Sequence, residues 1–272
     1  MTDLERLMQG QRDELAAWDD MADVLPADWR QAHGFAASAR GGALAISLRD
    51  LPAGMFNRVF GLGDAAAVTQ EDVAWAEAAV PHHAPWLQPT PGPTEADSFT
   101  LLRSLGYEQR PMRWAKLARS LAEPVDIPAN DKVRVREAAA DEGALFGRTL
   151  QEAYGLPPWM QDWSARLAGR PGWHLYFADD TRGRTIGCAV LFMNGASAWL
   201  GMAATFTTAR NQGAQRSLMW RRLHDARALG ATLATTETGE PMAGQPSPSF
   251  HNMLGCGFEV CGYRTNWSKP KA

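Results

Sequence analysis

The sequence predicts an α/β protein made of two halves of similar size and design. Three observations carry this. The second half alternates strand and helix patterns in the order β-α-α-β-β-β-α-β-α-β. A short segment near the end of each half is echoed in the other. Between the halves lies "SLAEPVDIPAND" (Ser120 to Asp131), with prolines at 124 and 128, which reads as a linker. The chain has 272 residues, which suits two domains, and it is 45% apolar and 21% charged, a composition able to bury a real core.

The first half opens with a helix, Leu4 to Met21, then a strand "GALAISL" (Gly42 to Leu48) and a second apolar piece, "NRVFGLG", from Asn57. Thr69 is a good N-cap for a helix running to Ala79, with Glu71 and Asp72 in its first turn. "PHHAPWLQPTPGPTEAD" reads as a strand flanked by loops. "SFTLLRSLGYEQRPMRWAKLAR" reads as a short helix, a glycine and a closing strand. In the second half, "KVRVREA" is a strand and Asp141 to Ala153 a helix with Ala144, Leu145, Leu150 and Ala153 on one face. "PPWMQDWSARLAG" has prolines at its entry and a glycine at its end, as a helix should. The strands "WHLYFAD", "TIGCAVLFM" and "SAWLGMAAT" follow, the last two joined at the hairpin pair Asn194-Gly195. Next come a helix with Met219, Leu223 and Ala226 on one side, stopped at Gly230, a strand "ATLATTET", a loop, a short helix "SFHNMLGCG" and a final strand or pair of strands, "FEVCGYRTNW".

The echo pairs "SLGYEQRPMRW" (Ser104 to Trp114) with "GCGFEVCGYRTNW" (Gly255 to Trp267). Each follows a short helix and has a glycine, an aromatic, a glutamate and a later tryptophan. We read it as a duplication.

A net charge of −3 gives no reason to expect nucleic acid or an anionic membrane as partner. The longest apolar run, Ile186 to Met193, is too short to span a bilayer. The acidic, amphipathic start reads as no secretory signal. The sparse set Cys188, Cys256 and Cys261 suits a reducing compartment, so a cytoplasmic location is expected. No His/Cys spacing resembles a zinc site, His82-His83 reads as an exposed loop, and no metal is expected.

The stretch "TTARNQGAQRSLMW" (Thr207 to Trp220) bears on function. The first N–H groups of a helix lack intrahelical partners and lie at the positive end of its dipole. If Gly213 lets the chain approach closely, the N–H groups of Asn211, Gln212, Gly213, Ala214 and Gln215 face one concavity, which suits an anion. Arg210 adds charge at the mouth and Arg216 one turn in, while Arg221 and Arg222 read as solvated. The alternative is an ordinary helix start whose glycine merely turns. No Lys-Ser/Thr follows the glycine, which argues against a nucleotide P-loop.

"TFTTARNQGAQRSLM" after a strand resembles motif A of the GNAT superfamily of acyl-CoA-dependent N-acyltransferases, where an Arg/Gln-x-x-Gly-x-Gly/Ala turn cradles the coenzyme A pyrophosphate. "SFHNMLGCGF" resembles the short helix and Gly-Phe that follow in that superfamily. The resemblance covers Val133 to Trp267, and the first half resembles a degenerate copy without an anion turn. It implies two GNAT-like domains, residues 1–122 (degenerate) and 131–272 (binding acyl-CoA), each a central mixed, mostly antiparallel sheet flanked by helices. It further implies acetyl-CoA as acyl donor and a small-molecule amine as acceptor, with monomer or homodimer left open. The backbone of Met202, Ala203 and Thr205 would pair with the pantetheine arm like an added strand, where two parallel strands splay. This chain departs from the pattern at Gln215, in place of Gly or Ala, whose side chain would have to point away from the phosphates. It departs again at Met253, where a tyrosine that reprotonates the thiolate is common, and in lacking the glutamate often found in the strand "SAWLGMAA".

Acyl transfer to an amine needs a neutral amine, a donor for the oxyanion and an outlet for the thiolate. Glu237 could serve as base or be a solvated strand-end carboxylate. Tyr263 could protonate sulfur or pack. Ser249 could face the cleft or cap the short helix. Asn252 could bond the pantetheine amides or the neighbouring loop. His251 reads as exposed or structurally bonded, and Trp159 and Trp163 as an aromatic wall or as core. Two rival readings remain. One is a non-catalytic acyl-CoA sensor or scaffold. The other is a dinucleotide-binding oxidoreductase using Gly61-x-Gly63-x-x-Ala66, for which no carboxylate lies near the required position and the helix cap at Thr69 does not abut the glycines.

Overall fold

The computed structural model describes residues 1–270 and divides into two compact units. The first comprises residues 1–116, 239–245 and 261–270; the second comprises 117–238 and 246–260.

In the first unit, α1 (Asp3–Asp23) starts from a capping box in which Thr2 and Glu5 satisfy one another's backbone N–H groups. It buries Leu7, Ala17, Trp18 and Met21. Then come α2 (Ala27–His33), held between Pro26 and a left-handed Gly34, and β1 (Phe35–Arg40), followed by β2 (Ala43–Leu48) and β3 (Arg58–Leu62). β2 and β3 are buried along their whole lengths, so neither shows polar alternation. After them come α3 (Gln70–Ala79), β4 (Trp86–Pro89), α4 (Glu95–Ser104), β5 (Glu108–Gln109) and β6 (Trp114–Ser120). With the last strand of the chain, β13 (Trp267–Ser268), five of these strands form a six-stranded sheet in the order β1-β2-β3-β4-β13-β5. β3 and β4 run parallel, and the other pairs are antiparallel.

A buried ionic cluster lies in this unit. Glu14, with no exposed surface, accepts from Arg58 at 3.0 Å and from Lys116 at 2.8 Å, and it is also paired with Arg264. Burial pushes the Glu14 carboxyl up, but the three cations outweigh it and hold it well below the usual carboxylate range. Gln88 and Asn266 extend the network through a 2.6 Å hydrogen bond.

The second unit holds β7 (Val133–Glu137), α5 (Gly143–Tyr154), α6 (Gln161–Ala165), β8 (Trp173–Asp180), β9 (Thr185–Asn194), β10 (Ser197–Thr205), α7 (Ala214–Ala228), β11 (Leu233–Gly239), α8 (Pro248–Gly255) and β12 (Glu259–Arg264). Its seven-stranded sheet has the order β12-β6-β11-β10-β9-β8-β7. β7 to β10 form an antiparallel meander, and β10 runs parallel to β11. α7 buries Ala214, Leu218, Met219, Arg222, Leu223 and Ala226.

Most expected elements are present. α2 and β1 were not expected: α2 is only seven residues long, and β1 is an edge strand in which only Phe35 is buried and the rest is Ala, Ser and Arg. The boundaries at 122 and 131 treat the domains as two contiguous pieces, whereas the compact units are discontinuous. The physical reason lies in the echo. In each copy a left-handed glycine (Gly106, Gly257) precedes a buried aromatic (Tyr107, Phe258). Each copy then ends on a tryptophan that enters a strand, Trp114 in β6 and Trp267 in β13.

Candidate functional site

β10 and β11 pair in register only at Ser197–Leu233, Ala198–Ala234 and Trp199–Thr235. Beyond that the parallel ladder stops, and the carbonyls of β10 need other donors. Side chains supply them. Thr236 Oγ1 of β11 donates to the Leu200 carbonyl at 2.7 Å; at the edge facing β9, Arg222 Nη1 donates to Gly201 at 3.2 Å and to Val190 at 2.8 Å, and Tyr154 Oη donates to Ala203 at 3.1 Å. On that edge the register with β9 shifts between Gly201 and Ala204, and Met202 inside this bulge has φ 42. A positive φ at a non-glycine residue costs energy and persists only where its surroundings enforce it. Thr205 remains paired with Gly187. Of the three residues expected to offer free backbone to a pantetheine arm, Met202 and Ala203 lie in the bulge, and the Ala203 carbonyl already accepts one hydrogen bond. A second lone pair remains on that oxygen.

The chain leaves β10 through a 3-10 turn, Thr207–Ala209, passes Arg210 and the left-handed Asn211, and enters α7 at Gly213. Gly213 is the N-cap with φ 85, and no side chain caps the helix. The intrahelical ladder opens with Ser217 N donating to Gly213 O at 2.9 Å, so the amides of Ala214, Gln215 and Arg216 precede it. No acidic residue stands in the first turn, while Arg210, Asn211, Gly213 and Arg216 are exposed. The first unit provides the contrast. At the start of α3, Thr69 accepts from Asp72 N at 3.2 Å and Asp72 accepts from Thr69 N at 3.0 Å, so that terminus is filled by its own side chains. Gly61, read as part of a dinucleotide turn, sits inside β3, where an added Cβ would meet the Gly42 carbonyl at 2.7 Å. Its role is close strand approach.

Two supports of the α7 turn were not visible in the sequence. Asn130, within the expected linker, donates from Nδ2 to Gln212 O at 3.1 Å and to Ser217 Oγ at 3.0 Å, bracing both sides of Gly213. Gln215 reaches α8: its Nε2 donates to Ser249 Oγ at 2.9 Å, and its Oε1 accepts from Asn252 Nδ2 at 2.8 Å. Gln215, Ser249 and Asn252 therefore form one network, and the Gln215 side chain is spent on α8. Ser249 is not the cap of α8; Ser247 stands there, followed by Pro248.

Arg222 corrects the expectation of a solvated residue. It is 2% exposed, and besides Gly201 it donates to Val190 O at 2.8 Å and Leu218 O at 3.1 Å. Its spacing of four from both Leu218 and Ala226 places it on the buried face, a signal the sequence did carry. Burial lowers its pKa to about 10.

Glu237 lies on the part of β11 beyond the ladder and is half-buried. Tyr263 is counted with the first unit, where the Arg113 guanidinium lies 4.7 Å from its ring centroid. His251 is exposed and bonded to Ser247 O at 2.8 Å. Trp163 is core, whereas Trp159 is half-buried. Met253, in place of the expected acid, is buried.

No protein-family model and no curated protein matches the chain. Solved structures do. A GCN5-related N-acetyltransferase from Kribbella flavida superposes with a TM-score of 0.59 at 15% identity, covering 88% of this chain and 90% of that one. Another from Sphaerobacter thermophilus gives 0.59 at 17% identity, covering 85% and 82%. A tandem GNAT protein from the clavulanic acid biosynthesis pathway gives 0.53 at 14% identity, covering 74% and 69%. The fold of this chain is that of the GNAT acetyltransferases, with two such domains along its length.

Proposed function

We propose that the chain is an acyl-CoA-dependent N-acyltransferase that uses acetyl-CoA as donor and an amine of a small molecule as acceptor, by direct attack on the thioester. One observation carries this reading: the uncapped, acid-free start of α7 at Gly213 directly follows a strand whose parallel partner has splayed away. A diphosphate would rest on the amides from Asn211 to Arg216, with Arg210 and Arg216 beside it. The pantetheine arm would run along Met202, Ala203 and Thr205. Asn252 and Gln215 would hold α8 to the turn.

An acceptor with a lysine-like pKa near 10.4 is neutral in only about one molecule in 2,500 at pH 7, a penalty of roughly 4.6 kcal/mol that a base relieves. Glu237 is our candidate for that base, with Ser249 as a polar group for substrate or sulfur; Tyr263, expected to join them, falls in the first unit. In this reading the second domain carries the site and the first is a degenerate copy. No metal is needed, no nucleic acid or membrane partner is invoked, and a cytoplasmic monomer or homodimer suits the chain. Among the described residues no helix is long and apolar enough to cross a membrane. A second reading, an acyl-CoA sensor without catalysis, is favoured by Met253 occupying the place of the usual acid.

Calorimetry with acetyl-CoA, coenzyme A and NAD, followed by thiol release against an amine panel, tests both readings. Binding of both coenzymes but not NAD, with amine-dependent thiol release, is expected. Binding without release selects the sensor. Absence of binding refutes both.

A further inference from the structure

Arg222 is a buried cation without a carboxylate. Its three hydrogen bonds go to the carbonyls of Leu218, Val190 and Gly201, and no ion pair to it occurs among the described residues. The neighbouring carboxylate on α7, Asp225, is taken up by Tyr176, Arg221 and His224 at 2.9, 2.7 and 2.9 Å. The titratable groups around the guanidinium are the Tyr154 phenol from α5, the Tyr176 phenol from β8, the Cys188 thiol from β9 and the Cys256 thiol after α8, all neutral near pH 7. Burying a charge this way is costly, and such a charge attracts any negative charge that arrives nearby.

The cation is aimed at the bulge. It holds the Gly201 carbonyl, one residue before the strained Met202. Its field also reaches the Tyr154 hydroxyl, which is bonded to Ala203 on the far side of the bulge. Arg222 therefore ties the helix that starts at the anion turn to the strand segment where the thioester would lie, about two and a half helical turns further on.

We propose that Arg222 is a positioning residue for acyl transfer. It fixes the Gly201–Ala203 bulge and balances the negative charge that builds there on the thioester oxygen and then on the departing sulfur. The inference rests on the acyltransferase reading. In the step it assists, the amine nitrogen bonds to the thioester carbon and the C–S bond breaks with its electron pair on sulfur. One amine proton passes to base or solvent, leaving an amide and the coenzyme thiolate.

The test reads the acidity of bound thiol. Calorimetry would compare coenzyme A with desulfo-coenzyme A from pH 7 to 9.5, for wild type, Arg222→Met and Arg222→Lys. A bound thiol stabilised as thiolate titrates below its value free in solution. Affinity for coenzyme A then rises through that range by about tenfold per unit of lowering, and desulfo-coenzyme A gives a flat profile. The rise is expected in wild type, in part in Arg222→Lys, and not in Arg222→Met, which still binds both ligands through the α7 turn. Wild type alone decides if the variants do not fold: a flat profile overturns the inference while leaving coenzyme binding intact. A rise retained in a folded Arg222→Met also overturns it. Failure of wild type to bind either ligand overturns the acyltransferase reading, and this inference with it.

Discussion

Gly213 combines a left-handed φ of 85 with the Asn130 amide, whose nitrogen lies 2.8 Å from where a Cβ would be. A substitution there is opposed twice, by backbone strain of about 1–2 kcal/mol and by displacement of the brace. Gly213→Ala is therefore expected to weaken coenzyme A binding about tenfold or more in calorimetry. Asn130→Ala, which removes the brace but keeps the glycine, should weaken it less; unchanged affinity in both would count against the turn as the diphosphate site. Glu14 is the second telling residue. Its folded pKa lies below the unfolded value, so its stabilisation is full above the unfolded carboxylate range near pH 4.3 and is lost as pH falls through the folded value. Glu14→Gln strands Arg58, Lys116 and Arg264 and should cost about 3–5 kcal/mol at pH 7. The variant's denaturation midpoint should also change less than wild type's between pH 5 and 3. The sequence disclosed the glycine and not its support, because Asn130 bonds to residues 82 and 87 positions away. Glu14 was equally silent, since α1 reads as an ordinary amphipathic helix until Arg264 is brought to it.

Among the elements, the backbone ladder between β10 and β11 ends at Trp199–Thr235, and beyond it side-chain hydrogen bonds begin. Thr236 is the clearest case, 4% exposed with its hydroxyl on the Leu200 carbonyl. Thr236→Val keeps the shape and leaves that carbonyl without its donor, an expected loss of about 1–3 kcal/mol in urea denaturation. A cost near zero would mean that water or a shifted strand fills the gap. The helices and strands of the second half could be read because period and punctuation agree, as at the Asn194-Gly195 hairpin and the Thr69 cap of the first half. The bulge at Met202 could not, because "SAWLGMAAT" carries no residue that demands a positive φ. The carbonyls on either side of it are held by Arg222 of α7 and Tyr154 of α5, partners that the local sequence does not name. α2 did carry its signals, Pro26 before it and Gly34 after it, but too few residues lie between them for a periodic pattern to emerge.

At the scale of the molecule, residues 261–270 belong with residues 1–116. Trp267, 1% exposed, pairs with both Leu87 and Gln109 and stacks on Phe99 at 4.9 Å. A chain stopped after Thr265 leaves β4 and β5 without the strand between them and should lose the cooperative unfolding transition of the first unit; a retained transition, followed by near-ultraviolet circular dichroism, would show β13 to be dispensable. Similarity between the halves could be read from the echo, but the sharing of segments could not, because the echo marks like segments without saying which sheet each one joins. That sharing sets a timetable for birth on the ribosome. Residues 1–116 leave the tunnel long before Trp267 has been translated. At about 5–20 residues per second, the sheet they begin must wait about 8 to 30 seconds for its missing strand. Throughout that interval β4 and β5 present open edges in the cell, a window in which a nascent-chain chaperone has something to hold.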